Sequence, residues 1–161
     1  MIRSFMEVDP IVFQSEKEKA HAHYVKEREI YCPYFGQKVV LNSEGFHHLQ
    51  FSAGRERPKQ EQLTKFRLLS SALQVIRKSG TLQEYRVLLE PVGKKKQDGS
   101  TPMKEVQYCA FIAIVGEKQK KIRVIVRKIG NGNIAFHSVM YHSKRKNGKQ
   151  RLYTTGIENG D

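Results

Sequence analysis

Apolar positions along this chain recur first at helical and later at strand spacing. From Gln14 to Ile30 the residues are dense in Glu and Lys and include no proline or glycine. Opposite charges fall three apart, as in Glu16 and Lys19, which predicts an exposed first helix ended by Pro33 and Gly36. QKVVLN, 37–42, reads as a short strand. SEGFHHLQF, 43–51, reads as a turn or short helix carrying Phe46, Leu49 and two adjacent histidines. Pro58 suits a first helical turn, and Leu63, Phe66, Leu69, Leu73 and Ile76 then recur every three or four residues. That spacing predicts a helix with one buried face, stopped by Ser79-Gly80.

The remainder reads as antiparallel sheet. EYRVLLEPV, 84–92, is a strand, and a lysine-rich loop, 93–104, follows it. QYCAFIAIV, 107–115, is apolar at nearly every position, as a strand buried on both faces should be. KIRVIVRKI, 121–129, alternates Ile122, Val124 and Val126 with Arg123, Ile125 and Arg127. NGN, 131–133, signals a tight turn into IAFHSVMYH, 134–142. Strict alternation there puts Ile134, Phe136, Ser138 and Met140 on one side and Ala135, His137, Val139 and Tyr141 on the other. The pattern predicts an α+β fold, with helices packed on one face of a four- to five-stranded, mostly antiparallel sheet. Length suits a single domain over 1–161. Within it, 1–36 reads as an N-terminal helical extension, 37–142 as the core and 143–161 as a basic tail.

Charge sharpens this picture. The net charge is +13, yet residues 1–45 hold six bases and seven acids against 23 bases and nine acids in the rest. The surplus from Phe46 onward attracts polyanions, most often nucleic acid, sometimes anionic lipid or an acidic partner protein. No run of eighteen apolar residues is present, so no membrane span is expected. The start, MIRSFMEVDPIVF, lacks the apolar core of a secretory signal, and Cys32 and Cys109 show no disulfide or zinc spacing, so a cytoplasmic setting is expected. His21 and His23, two apart on a presumed helix, face different directions. Neither a metal site nor any cofactor is expected, and no phosphate-cradling or dinucleotide glycine motif occurs.

Two clusters hold the parts that RNA cleavage needs. Imidazoles can move protons, guanidinium groups can hold the phosphate, and a hydroxyl can donate to a non-bridging oxygen. His47, His48, Arg55 and Arg57 precede the long helix. Arg123, Arg127, His137, Ser138 and Tyr141 lie on the last hairpin. Lys65 on the helix and Lys144, Arg145 and Lys146 in the tail are candidate RNA contacts.

In order, "GFHHLQ", "RERPKQEQLTKFRLLSSALQVI" and "YCAFIAIV…KKIRVIVRKIGNGNIAFHSVMYH" resemble the phage- and mobile-element-associated nucleases of the barnase–EndoU–colicin–RelE superfamily. The likeness covers roughly Gln37 to His142. It implies a RelE/barnase-like fold and a metal-independent endoribonuclease, a toxin or mobile-element effector, that leaves a 2′,3′-cyclic phosphate. It also implies roles: His48 (or His47) as general acid or base, Arg57 (or Arg55) holding phosphate, Ser138 as the last-strand hydroxyl, and Tyr141 stacking on a base or sharing in proton transfer. The partners it implies are RNA, ribosome-associated or tRNA, and an acidic antitoxin or inhibitor. Two other readings fit the residues: a non-catalytic RNA- or DNA-binding module, and a basic interaction protein that docks an acidic partner.

Overall fold

A computed structural model describes residues 7–142. Helix α1 spans Pro10–Glu27. It starts four residues before the sequence pattern suggests, because the Asp9 carboxylate accepts from the Ile11 amide at 2.8 Å and Pro10 occupies the first turn. It also ends earlier than Ile30. Arg28 takes a positive φ of 61°, which an α-helix cannot carry, and Ile30 joins a strand instead. That strand, β1 (Glu29–Cys32), alternates exposed and buried positions, Ile30 and Cys32 pointing inward. It turns at Pro33–Gly36 into β2 (Gln37–Val40). Nor is α1 simply an exposed helix: Phe13, Ala20 and Tyr24 are buried, with Phe13 edge-on to Phe66 at 5.6 Å.

Helix α2 (Ser43–Gln50) is capped by Asn42, whose side chain accepts from the Gly45 amide at 2.9 Å. A two-residue hairpin follows, β3 (Phe51–Ser52) and β4 (Arg55–Glu56). Its corner residues Ala53 and Gly54 both have positive φ, the geometry of a tight hairpin turn. Helix α3 (Lys59–Lys78) begins after Pro58 and stops at Ser79, as the spacing predicts. Four strands complete the described residues: β5 (Glu84–Pro91), β6 (Met103–Val115), β7 (Lys120–Ile129) and β8 (Ile134–Tyr141).

The main sheet runs β1-β2-β8-β7-β6-β5. Six strands exceed the expected four to five, because 29–32 is strand and because β2 joins β8. That junction is the one parallel pairing among the described residues and rests on a single register pair, Val40 opposite Ala135. The other neighbours pair antiparallel.

The three helices of the described residues contribute to one core, where Leu69, Leu73 and Ile76 meet Val124, Val126, Phe136 and Val139. Each fully buried apolar side chain of this size contributes about 1.5–3 kcal/mol. The opposite face carries a smaller cluster, Val106, Tyr108, Ala110 and Ile125.

Strand β8 departs from strict alternation. Val126 sits opposite Phe136, but Ile125 sits opposite Ser138, so His137 is an extra residue in a β-bulge. The bulge resets the parity, which is why Val139 shares the helix-facing core with Phe136 instead of lying across from it.

Candidate functional site

The site is built where α2 presses on the β8 bulge. Gly45 makes the close approach possible: a Cβ there would lie 2.5 Å from the Phe136 carbonyl oxygen and from the Tyr24 hydroxyl. Tyr24 in turn donates to the Asn42 carbonyl at 2.5 Å, tying the start of α2 to α1. With α2 held this low, His48 comes over the bulged residue. The His48 ring stacks on that of His137, with centroids 4.0 Å apart and planes at 25°.

Arg57 anchors the other side of His48. Its Nε donates to the His48 carbonyl at 2.9 Å, its Nη2 lies 3.0 Å from His48 Nε2, and its Nη1 donates to Glu61 Oε1 at 2.9 Å. The backbone of Arg57 is also committed, its amide to the Gln50 carbonyl at 2.7 Å and its carbonyl to Gln62 Nε2 at 2.6 Å. Arg57 is only 7% exposed. The residue expected to grip a phosphate thus has His48 and Glu61 as its partners.

Between α2, the β3–β4 hairpin and the ends of β5, β7 and β8 lies a cleft of about 740 Å³. His47, His48, Arg127 and His137 line it, with Glu44 and Glu90 as the carboxylates. His47 is exposed and stacks on Phe51, centroids 4.4 Å apart. Arg127 donates to Glu44 at 3.1 Å, a contact whose carboxylate is well exposed. Tyr108 lies edge-on to His137 at 5.3 Å and donates its hydroxyl to Glu90 at 2.7 Å. Burial, then the Glu90 carboxylate, pushes the Tyr108 phenol up to about 12, so it stays a neutral donor. His137 is held well below the ordinary imidazole range, first by burial and then by the nearby His48, Arg127, Arg57 and Lys65. It is therefore uncharged at neutral pH.

Other expected site residues fall elsewhere. Arg55 is exposed on the β3–β4 hairpin and does not line the cleft. Ser138 is fully buried, its hydroxyl accepting from Lys65 Nζ at 3.2 Å, while the same Nζ donates to the Val139 carbonyl at 2.8 Å. Lys65 (4% exposed) thus serves the helix–sheet interior. Arg123 is likewise interior. Its Nη2 donates to Glu84 Oε2 at 3.0 Å, and its Nε faces Oε1 at 2.9 Å as an ion pair without the geometry of a hydrogen bond. Tyr141 is half exposed near the far end of β8, four residues or about 13 Å past His137, and does not line the cleft. Lys144, Arg145 and Lys146 lie outside the described residues.

Glu44, Glu90 and Tyr108 enter the site without any local motif. Tyr108 and Glu90 are eighteen residues apart in sequence; Glu90 stands opposite Lys104, four residues along from Tyr108, and the two side chains meet diagonally across the β5–β6 pair. Among the described residues, no group of three or more His, Cys, Asp or Glu gathers as a metal site, and no helix is long and apolar enough to cross a membrane. The arrangement offers one solvent-facing imidazole, one guanidinium at the cleft wall and a floor of stacked rings. No family model matches this chain, and comparison with curated proteins and with solved structures likewise returns no match.

Proposed function

We propose that the protein is a metal-independent endoribonuclease acting in the cleft between α2 and the last hairpin. The observation that carries this reading is the meeting of His47 and His48 with Arg127 and His137 around one cavity, from stretches about eighty residues apart in sequence. His47, exposed there, takes the proton from a ribose 2′-hydroxyl. The 2′-oxygen forms a bond to phosphorus, and the 5′-oxygen leaves and picks up a proton from water. The products are a 2′,3′-cyclic phosphate and a 5′-hydroxyl. Arg127 holds the phosphate as negative charge builds on it. Its present partner Glu44 is exposed, and such a surface pair contributes about 0–1 kcal/mol, so a phosphate displaces it at little cost. RNA is favoured over DNA because it carries its own nucleophile. The surplus of base from Phe46 onward also suits an acidic neutralising partner.

The test is cleavage of total cellular RNA by purified protein, with and without EDTA. Cyclic-phosphate ends in both conditions support the reading, as does their loss in His47→Ala and Arg127→Ala. A folded protein that cuts nothing, even in excess, overturns it.

A second reading, an RNA-binding module without turnover, draws on a different observation. Arg57 and Ser138, two of the groups a nuclease of this kind is expected to use, are committed inside the protein. Binding that weakens steeply with salt while the RNA stays intact would select this reading.

A further inference from the structure

We infer that Arg57 is a positioning residue that withdraws His48 from proton transfer, holding it as a neutral imidazole with its hydrogen on Nδ1 and its Nε2 lone pair spent on the guanidinium. The inference rests on the cleavage reading for its catalytic consequence, but its geometric basis is independent of it.

A guanidinium has five N–H donors and no acceptor. At 3.0 Å from Arg57 Nη2, His48 Nε2 has to be the acceptor, because a second N–H there would point hydrogen at hydrogen. The ring is then neutral and its one hydrogen lies on Nδ1. Three features keep Arg57 from swinging away. Nε donates to the carbonyl of the same histidine, Nη1 is taken by Glu61, and the Arg57 backbone is bonded at both its amide and its carbonyl. Arg57 therefore grips His48 by ring and backbone together, which fixes the ring plane as well as the tautomer.

The surroundings point the same way. The charged groups that act on His137, besides His48 itself when protonated, are Arg127 in β7, Arg57 before α3 and Lys65 within α3, all cationic. The carboxylates near the cleft are already engaged: Glu44 with Arg127, Glu90 with the Tyr108 hydroxyl, and Glu61 with Arg57 itself. A proton on His48 would place a fourth positive charge against a neighbouring ring only 4.0 Å away. His48 thus serves as a fixed, uncharged plate against His137.

Histidine ring nitrogens can be observed directly. In long-range proton–nitrogen NMR of protein labelled with ¹⁵N-histidine, the His48 signals are assigned by their loss in His48→Gln. The expected wild-type result is a protonated Nδ1 and an unprotonated Nε2 throughout neutral pH. In Arg57→Lys, which keeps the charge but removes the fork, a population with hydrogen on Nε2 is expected, and His48 should begin to titrate as pH falls. If cleavage is observed, kcat/KM of the wild type should follow one imidazole ionisation, and that of Arg57→Lys should follow two. A wild-type His48 that is an imidazolium at neutral pH, or that carries its hydrogen on Nε2, overturns the inference. So does an Arg57→Lys spectrum identical to wild type, or an Arg57→Lys enzyme with raised KM and unchanged kcat, since Arg57 would then be touching RNA. The spectra need no RNA, so a protein that fails to cleave leaves this test intact.

Discussion

Gly45 lies directly beneath the Phe136 carbonyl, and its missing side chain is the space that lets α2 settle onto β8. Any Cβ at that position would meet backbone on one side and the Tyr24 hydroxyl on the other, both at 2.5 Å. Neither is the yielding end of a flexible chain, since Tyr24 is buried and bonded to Asn42. Gly45→Ala is therefore expected to lose about 1–3 kcal/mol of stability despite the better helix propensity of alanine. Because relief comes from lifting α2, the proposed cleavage should fall along with it. Urea denaturation beside an RNA cleavage assay checks both, and an alanine variant as stable as wild type would contradict the packing described.

The imidazole of His137 gives the protein a pH dependence whose sign follows from its surroundings. The folded state disfavours a proton at His137 that the unfolded chain binds below about pH 6.5. Below that pH the unfolded state holds more protons, so stability from this residue is intact above about 6.5 and declines as the solution is acidified. The slope is at most about 1.4 kcal/mol per pH unit, reduced by the partial exposure of the ring to the cleft. Urea midpoints from pH 8 to pH 5 should fall more steeply for wild type than for His137→Asn. Parallel curves would remove His137 from the account.

Arg127 and Ser138, both on the last hairpin, should respond oppositely. If the protein cleaves RNA as proposed, Arg127→Ala is expected to lower cleavage by about 10²–10³ while the protein stays folded, because the group lost would stabilise charge that develops during such a reaction. Ser138→Ala should leave the rate per folded molecule near wild type and cost about 1 kcal/mol of stability, through the acceptor removed from buried Lys65. Thermal melts and initial rates on the same preparations separate the two. An inactive, fully stable Ser138→Ala would restore the hydroxyl to the chemistry.

The Arg123–Glu84 pair on the face away from the helices makes a prediction about stability alone. Glu84→Ala leaves a guanidinium that is only 1% exposed without its carboxylate, and about 3–5 kcal/mol should be lost. Replacing both, as in Glu84→Leu with Arg123→Met, should recover most of that loss, since a buried ion pair and a packed apolar pair are close in free energy. A double-mutant cycle in urea reads the difference.

The long helix, the β5–β8 meander and the apolar face shared by Val124 and Val126 were legible in the sequence because each rests on local periodicity. Misreadings occurred where a single backbone angle or a distant partner decides. Ile30 looks like the end of a charged helix until the positive φ at Arg28 turns the chain. Arg123 alternates with core valines as a solvent- or ligand-facing residue would, and only Glu84, thirty-nine residues away, explains its burial. Arg57 and Ser138 carry the right functional groups for cleavage. Whether such a group faces a substrate or a neighbouring side chain is set by tertiary packing, which spacing along the chain does not encode.

The irregularity in β8 also bears on how the two walls of the cleft are linked. Val126–Phe136 and Ile125–Ser138 would be consecutive rungs of an ordinary ladder if His137 were absent. The residue that puts the strand out of step is thus the same one that reaches α2. Excising it would mend the hairpin and take away the ring on which His48 rests, so in this protein a flawed strand and an assembled cavity are two descriptions of one inserted amino acid.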